Sequence, residues 1–369
     1  MKRLIYLCVA VLAVLALLPL RPVFAQKSQS LPKVPITYQG DSDAMVVRRA
    51  KWVEGAKKEG TVVWWGDLRP EEARKIIAEF TKIYPFLKVD YARQSSAEKA
   101  TKLEAEHAIG RVTFDVMQGG EPIYYPRWRG MGVLEKFTDF VPGIGRIPKT
   151  MYSRHGDWMQ AGNNAIVPMF NTKQVSPAEA PKKWEDMLDP KWKGKMAMTA
   201  DMKGWSVLAL TENGWGIEKT EDFLKKLKQQ QLIWASGHTA GHNLLIAGEF
   251  KVMVEGYLYH CLQSQKKGAP VEWVRTSPVP ITGQAFTLMK KAPHPNAARL
   301  FMEWQFSSSG LKVYEATTQQ GAIFPGAGTR QSQLVEGLVL APRTEEILQK
   351  SIELRLEERF GNILGVTPE

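Results

Sequence analysis

From Thr61 onward the chain alternates short apolar runs with longer amphipathic ones. Thr61-Val62-Val63-Trp64-Trp65 is apolar without interruption, as a strand buried on both faces requires. Gly66-Asp67 turns the chain, and Pro70 with Glu71 and Glu72 suits the first turn of a helix. Ala73, Ile76, Ile77, Phe80, Ile83 and Tyr84 then recur at helical spacing until Pro85 stops them. Leu87–Tyr91 predicts a second strand, Ala97–Ile109 a second helix closed by Gly110, and Phe114–Met117 a third strand ending at Gly119-Gly120. A helix around Met45–Lys58, stopped by Gly60, precedes them. This β-α-β-α-β order predicts a parallel sheet with helices on its faces.

The alternation resumes further on. Lys195–Met198 reads as a strand, Glu221–Lys228 as a helix, Asn243–Gly248 as the end of another, and Lys251–Leu258 as a strand. Two extended segments separate the blocks: Ala165–Phe170, and Val271 onward past Pro278 and Pro280. Two α/β blocks joined by two extended crossings predict a bilobal protein with a cleft between its lobes. A helical stretch, Thr344–Phe360, lies beyond Gly328.

The first 25 residues follow a different pattern. Lys2 and Arg3 precede an apolar run from Leu4 to Leu20, and Val23-Phe24-Ala25 supplies small residues where a signal peptidase cuts. The competing reading is a membrane anchor. The run is slightly short for a span, and Pro19 and Pro22 sit where signal peptides commonly break. Cleavage after Ala25 is therefore expected, leaving an exported chain in the periplasm. Ile5-Tyr6-Leu7 is too bulky to make Cys8 a lipid-attachment site. Residues 26–44 are polar at first, with Pro32 and Pro35, and read as a flexible leader.

Composition narrows the classes. With 44% hydrophobic and 10% aromatic residues the chain can bury sizeable cores, which excludes global disorder. Removing Lys2, Arg3 and Arg21 with the signal leaves (49 − 3) − 38 = +8, which favours anionic partners. The basic residues are scattered, so nucleic acid is not an expected partner. Cys261 is the one cysteine left after Cys8 departs, so no intramolecular disulfide is expected. His260 beside it would point to the opposite face of a strand, and Cys261 reads as a buried structural residue. There is no Gly-x-Ser-x-Gly elbow, no His-Glu-x-x-His and no phosphate-binding Gly-x-x-x-x-Gly-Lys-Ser/Thr loop. Gly130-Met131-Gly132 and Gly326-Ala327-Gly328 lack the strand context of a dinucleotide site. A binding protein rather than an enzyme is expected, monomeric and without a cofactor.

Several stretches carry a family resemblance. Glu59-Gly60-Thr61-Val62-Val63 opens the folded part, and Tyr84-Pro85 leads into Lys88-Val89-Asp90-Tyr91. Phe170-Asn171-Thr172-Lys173 and the segment from Trp184 through Asp189-Pro190-Lys191-Trp192-Lys193-Gly194-Lys195 follow. Ala247-Gly248-Glu249, Lys267-Gly268-Ala269-Pro270-Val271 and Ala292-Pro293-His294-Pro295-Asn296-Ala297-Ala298 continue in order. Together they resemble the periplasmic solute-binding proteins of ABC importers, in the branch that includes the ferric-iron binders. The resemblance implies a type II periplasmic-binding fold whose lobes close on a solute, which a membrane permease with its own ATPase then receives. It implies an N-lobe of residues 45–167 plus 279–369 and a C-lobe of residues 168–278. A ligand sensor docking on a receptor ectodomain would share every one of these features.

In such sheets ligands sit beyond the carboxyl ends of strands, at helix N-termini. That places Trp65, Gly66 and Asp67 at the cleft, with Asp67 either capping the next helix or meeting the ligand. Gly120 and Glu121 follow the third strand in the same way. Ser236, His238 and Thr239 lead into a helix, with His238 and His242 four residues apart in a metal-ligand spacing. Trp205 either stacks on a flat ligand or packs in the core. The resemblance brings in one more comparison: ferric binders of the family carry an adjacent Tyr-Tyr pair after the strand matching Lys251–Glu255. Here the stretch reads Glu255-Gly256-Tyr257-Leu258-Tyr259-His260, with Gly256 in place of one tyrosine. Tyr257 and Tyr259 would share a face of a strand. Fe(III) as a transported ligand would use Tyr257, Tyr259, Glu121 and Asp67. An organic or phosphorylated anion is the favoured solute.

Overall fold

The computed structural model describes residues 31–119 and 122–368. The signal-peptide segment and the first five residues of the leader lie outside the described residues, as do Gly120 and Glu121. Eleven strands are formed among the described residues: β1 Thr61–Gly66, β2 Lys88–Arg93, β3 Val116–Gln118, β4 Leu134–Glu135, β5 Trp158–Asn171, β6 Met196–Thr199, β7 Ile233–Ala235, β8 Val252–Tyr257, β9 Val271–Trp273, β10 Val279–Met289 and β11 Leu340–Pro342. The main path runs β2-β1-β3-β10-β5-β8-β6-β7. At each end lie three parallel strands, β2-β1-β3 and β8-β6-β7. Between them β10 and β5 pair antiparallel.

That central pair makes the crossings. β10 meets β3 through Phe286–Leu288 on one edge and β5 through Ile281–Thr287 on the other, with a register shift between Gln284 and Ala285. β5 then passes on to β8 through Ile166–Phe170. All fourteen residues of β5 are buried, so the first crossing begins at Trp158, earlier than the apolar run at Ala165 suggests. The second crossing is β10. Val271–Trp273, expected to start it, is a separate strand paired with the far end of β5.

Each lobe has its own core. In the first, Trp64, Ile76, Phe80, Phe301 and Trp304 are fully or almost fully buried together. The second assembles around Trp184, Trp205, Phe223 and Leu224. Burial of each such side chain contributes about 2–3 kcal/mol. The last helix, Leu356–Leu364, inserts Leu356, Phe360 and Leu364 into this second core. The C-terminal helix therefore packs in the C-lobe core, whereas the resemblance implies the N-lobe for residues 279–369. Spacing shows that the helix has an apolar face, and only the fold shows which surface receives it. The expected helix Thr344–Phe360 is two helices, Glu345–Glu353 and Leu356–Leu364, broken where Arg355 takes φ 50°. The chain also crosses a third time. Ile323 N donates to Asn163 Oδ1, and Ile323 and Val335 lie in a core with Leu245 and Leu258.

Part of the leader is fastened down. Arg49, on the first helix Asp43–Glu59, is fully buried between Asp41 and Glu303, each at 2.6 Å. It also donates to Ile36 O and lies 4.3 Å from the centre of the Tyr38 ring. Glu303, the far partner of Arg49, is 254 residues from it in sequence.

Candidate functional site

Two adjoining cavities lie between the lobes. The larger, about 450 Å³, is bounded by Asp67, Arg69 and Arg93 on one side and His242, Tyr259 and Lys267 on the other. The smaller, about 130 Å³, is lined by residues including Ser96, Asn164, Lys203, Tyr257 and Arg343. Asp67 and Gln284 border both. Asp67 follows β1 and Arg93 ends β2, while Tyr257 ends β8, so the cavities sit at the carboxyl ends of parallel strands. Ser96, Lys203 and Thr239 lie in the first turns of the helices Ser96–Ala108, Lys203–Leu210 and His238–Ala247. Three helix N-termini thus start at the cavity walls.

Asp67 is the pivot of this arrangement. Its backbone N–H donates to Gln118 Oε1 at 3.1 Å, and its carboxyl lies 3.8 Å from the buried Lys99 Nζ. Burial pushes the carboxyl up, and the Lys99 charge opposes it. The helix that follows is capped by Arg69, so Asp67 is not its cap. Gly119 makes room: a Cβ there would come within 2.0 Å of Asp67 Oδ2, on a backbone at φ +71°. Gly66 is needed for a similar reason, with Gln118 Oε1 and the Tyr91 ring 2.8 Å from an added Cβ.

Other expected site residues are packed away. Trp65 stacks on Phe114 at 3.8 Å and 15° and belongs to the first-lobe core. Trp205 is 1% exposed and packs on Trp184 and Phe223 at 5.5 and 5.6 Å. Neither ring is available to a ligand. Ser236 is exposed and lines neither cavity. Thr239 lines the larger one.

The histidines separate rather than pair. His238 Nε2 lies 3.4 Å from Asp201 Oδ2, and its ring is 4.1 Å from that of Tyr257. His242 turns elsewhere, with Nε2 2.8 Å from Ser264 Oγ and its ring 5.4 Å from His260. Burial holds His242 down at about 4 and, with help from neighbouring imidazoles, His260 at about 3, so both are neutral at pH 7. Among the described residues no three His, Cys, Asp or Glu side chains are grouped to hold a metal. Burial raises the Asp201 carboxyl, but the His238 hydrogen bond and the Lys203 charge outweigh it and hold the group well below its ordinary range.

Tyr257 and Tyr259 do face each other, at 5.8 Å and 18° between rings. They do so across a strand-to-helix junction, since β8 ends at Tyr257 and the helix Leu258–Gln265 contains Tyr259. His260 and Cys261 therefore lie on a helix, where neighbours do not take opposite faces. The Tyr257 hydroxyl donates to Asp201 Oδ2 at 3.5 Å, while burial pushes the Tyr259 phenol up to about 12.

Sequence reasoning missed Arg69, Arg93, Asn164, Lys203, Lys267, Gln284, Gln320 and Arg343. Arg93 was findable as the last residue of a strand, and Asn164 and Gln284 as polar residues inside extended apolar crossings. Lys267 and Gln320 carry no such local signal.

Two α/β lobes hinged on paired strands around a polar, cation-rimmed cleft define a binding protein of the type II periplasmic-binding fold. Solved structures with this fold include iron-bound HitA from Pseudomonas aeruginosa, 18% identical, with TM-score 0.62 over 82% of this chain and 99% of that one. FutA (IdiA) from Trichodesmium, in complex with iron and citrate, is 17% identical, with TM-score 0.66 over 84% and 100%. AfuA from Actinobacillus pleuropneumoniae, with fructose-6-phosphate bound, is 21% identical, with TM-score 0.63 over 84% and 99%. The family model of the bacterial extracellular solute-binding proteins matches residues 75–332, and the chain belongs to that family. An uncharacterized protein of Haemophilus influenzae is 31% identical over 241 residues, 62% of this chain and 67% of that one.

Proposed function

We propose that this protein is exported, captures a small anionic organic solute in the cleft and delivers it to the permease of an ABC importer. The observation that carries the reading is the charge around the cavities. Arg69, Arg93, Lys203, Lys267 and Arg343 line them against Asp67 and Glu72, among the described residues. Three helix N-termini begin at the same walls and add partial positive charge. A solute touching both lobes stabilises the closed form, and the permease reads that form. The mechanism is capture, with no bond made or broken.

Iron is the second reading, supported by the facing rings of Tyr257 and Tyr259 and by the iron-bound HitA and FutA structures. Against it, the Tyr259 phenol gives up its proton reluctantly and the Tyr257 hydroxyl is engaged by Asp201.

A thermal-shift screen of the mature chain tests the choice. An anion at 100 times its Kd raises stability by about 2.7 kcal/mol, roughly 4 °C for a chain of this size. Organic or phosphorylated anions are expected to raise Tm, and Lys267→Glu to weaken them. A shift with Fe(III)-citrate, with a phenolate-to-iron absorption band lost in Tyr257→Phe, would replace this reading by the iron one. A shift with neutral solutes only would refute both.

A further inference from the structure

Lys99 lies behind the cleft and borders neither cavity, yet it carries a charge. It is the fourth residue of the helix Ser96–Ala108, and its side chain is fully buried. Both facts oppose a lysine there. Burial strips an ammonium of water, and the first turn of a helix favours acids over bases. Ala100 and Leu103, the other buried residues of this helix, pack without any charge. The ammonium of Lys99 donates to Gln118 O at 2.7 Å and lies 3.8 Å from Asp67 Oδ2.

Asp67 is placed differently. Its side chain keeps 31% of its surface and borders both cavities, so a solute in either one meets its charge. Gln118 and Gly119 hold it in position: Gln118 Oε1 accepts from its N–H, and Gly119 packs close against its carboxyl. A bare carboxylate roughly 6 Å from the anionic group of a solute, at an effective dielectric of about 20 to 40, weakens binding by about tenfold to a hundredfold. A cleft that captures anions therefore needs that charge offset. Arg93 is close by, with Nε 3.3 Å from Asp67 O, but a guanidinium paired with the Asp67 carboxylate would not be available to a solute. Lys99 offsets the carboxylate from behind the wall. Glu72, the other acid of the larger cavity, is matched by Arg69. Arg93 and Lys267 are then left to face the solute.

We propose that Lys99 sets the sign of the solute: it neutralises Asp67 from outside the cavities, so that the cleft admits an anion and keeps Arg93 and Lys267 for it. Lys99 is thus a specificity residue that touches no solute. This rests on the anionic reading above and names the residue on which that selectivity depends.

Titration calorimetry of the mature chain with citrate, glycerol 3-phosphate and inorganic phosphate, at pH 8 to keep Asp67 ionised, is the test. For each anion that the parent binds, Lys99→Met is expected to weaken binding by about tenfold or more. Lys99→Gln, which keeps a donor for Gln118 O and loses the charge, is expected to do the same. Adding Asp67→Asn to either variant should restore affinity to within about threefold of the parent, a rescue that a packing role alone would not allow. If both lysine variants fail to fold, Asp67→Asn alone decides. Affinity equal to the parent's or higher then agrees with the proposal, and a tenfold loss would overturn it by making Asp67 itself a solute contact. Folded lysine variants that bind within about twofold of the parent would also overturn it, as would a double variant as weak as the single one. Those results would leave the anionic reading standing. No binding of any of the three anions by the parent would remove both.

Discussion

Replacing Trp205 by alanine separates two roles that the sequence alone left level. The indole is 1% exposed and lies 5.5 Å from Trp184, 6.4 Å from Trp215 and 5.6 Å from Phe223, ring centre to ring centre. Truncating so large a core side chain removes its transfer free energy and leaves a void, at about 3–5 kcal/mol. Unfolding entropy near 2.1 cal/mol/K per residue gives about 0.7 kcal/mol/K for the described chain. For cooperative unfolding the melting temperature should then fall by about 4–7 °C. Circular dichroism melts check this, and the anion screen run alongside checks the site. Whichever anion shifts the parent should shift the variant by a similar amount, because no atom of Trp205 borders either cavity. A variant that melts within a degree of the parent but no longer responds to that anion would refute the packing argument and restore the indole as a ligand platform.

Arg49→Met should destabilise by about 3–5 kcal/mol, because it strands the fully buried Glu303 without its partner; a urea midpoint close to the parent's would refute this. His242 is held at about 4 when folded, below its ordinary 6.5. Between those values the unfolded chain takes up a proton that the folded chain refuses, so stability falls as pH falls, by about 1.6 kcal/mol between pH 6.5 and 5. Urea unfolding of His242→Gln at the two pH values should show a drop smaller by about that amount, and an unchanged drop would show that the imidazole is not buried neutral.

Much of the architecture was legible because it rests on local chemistry. The first strand, the proline-opened helix after it and the parallel order all follow from runs and breaks that neighbouring residues create. The crossings were half legible. Their apolar parts stood out, but three polar residues interrupt the pattern: Asn163, which accepts from Ile323 elsewhere in the fold, and Asn164 and Gln284, which line a cavity. The site was legible where a glycine or an acid follows a strand, as at Gly66 and Asp67. It was not legible at Trp65 and Trp205, because an aromatic beside a cleft and one beneath it look the same in sequence. Nor could residue order reveal that His242 keeps company with His260 rather than His238: helical spacing aligns two side chains along one helix, and the neighbouring helix decides which of them it meets.

The first helix packs in one lobe and the last in the other, so the two ends of the folded chain ride on different bodies. In the proposed capture a solute would draw those bodies together, and the distance between the ends would become a gauge of it. Lys33 and Thr367 are both exposed, and Cys261 is buried with its thiol pushed well above the ordinary range. Cysteines introduced at the two exposed positions would therefore take a fluorescent dye pair selectively. Energy transfer between the dyes would convert the protein into an optical reporter of its own cargo, with every residue of the cleft left untouched.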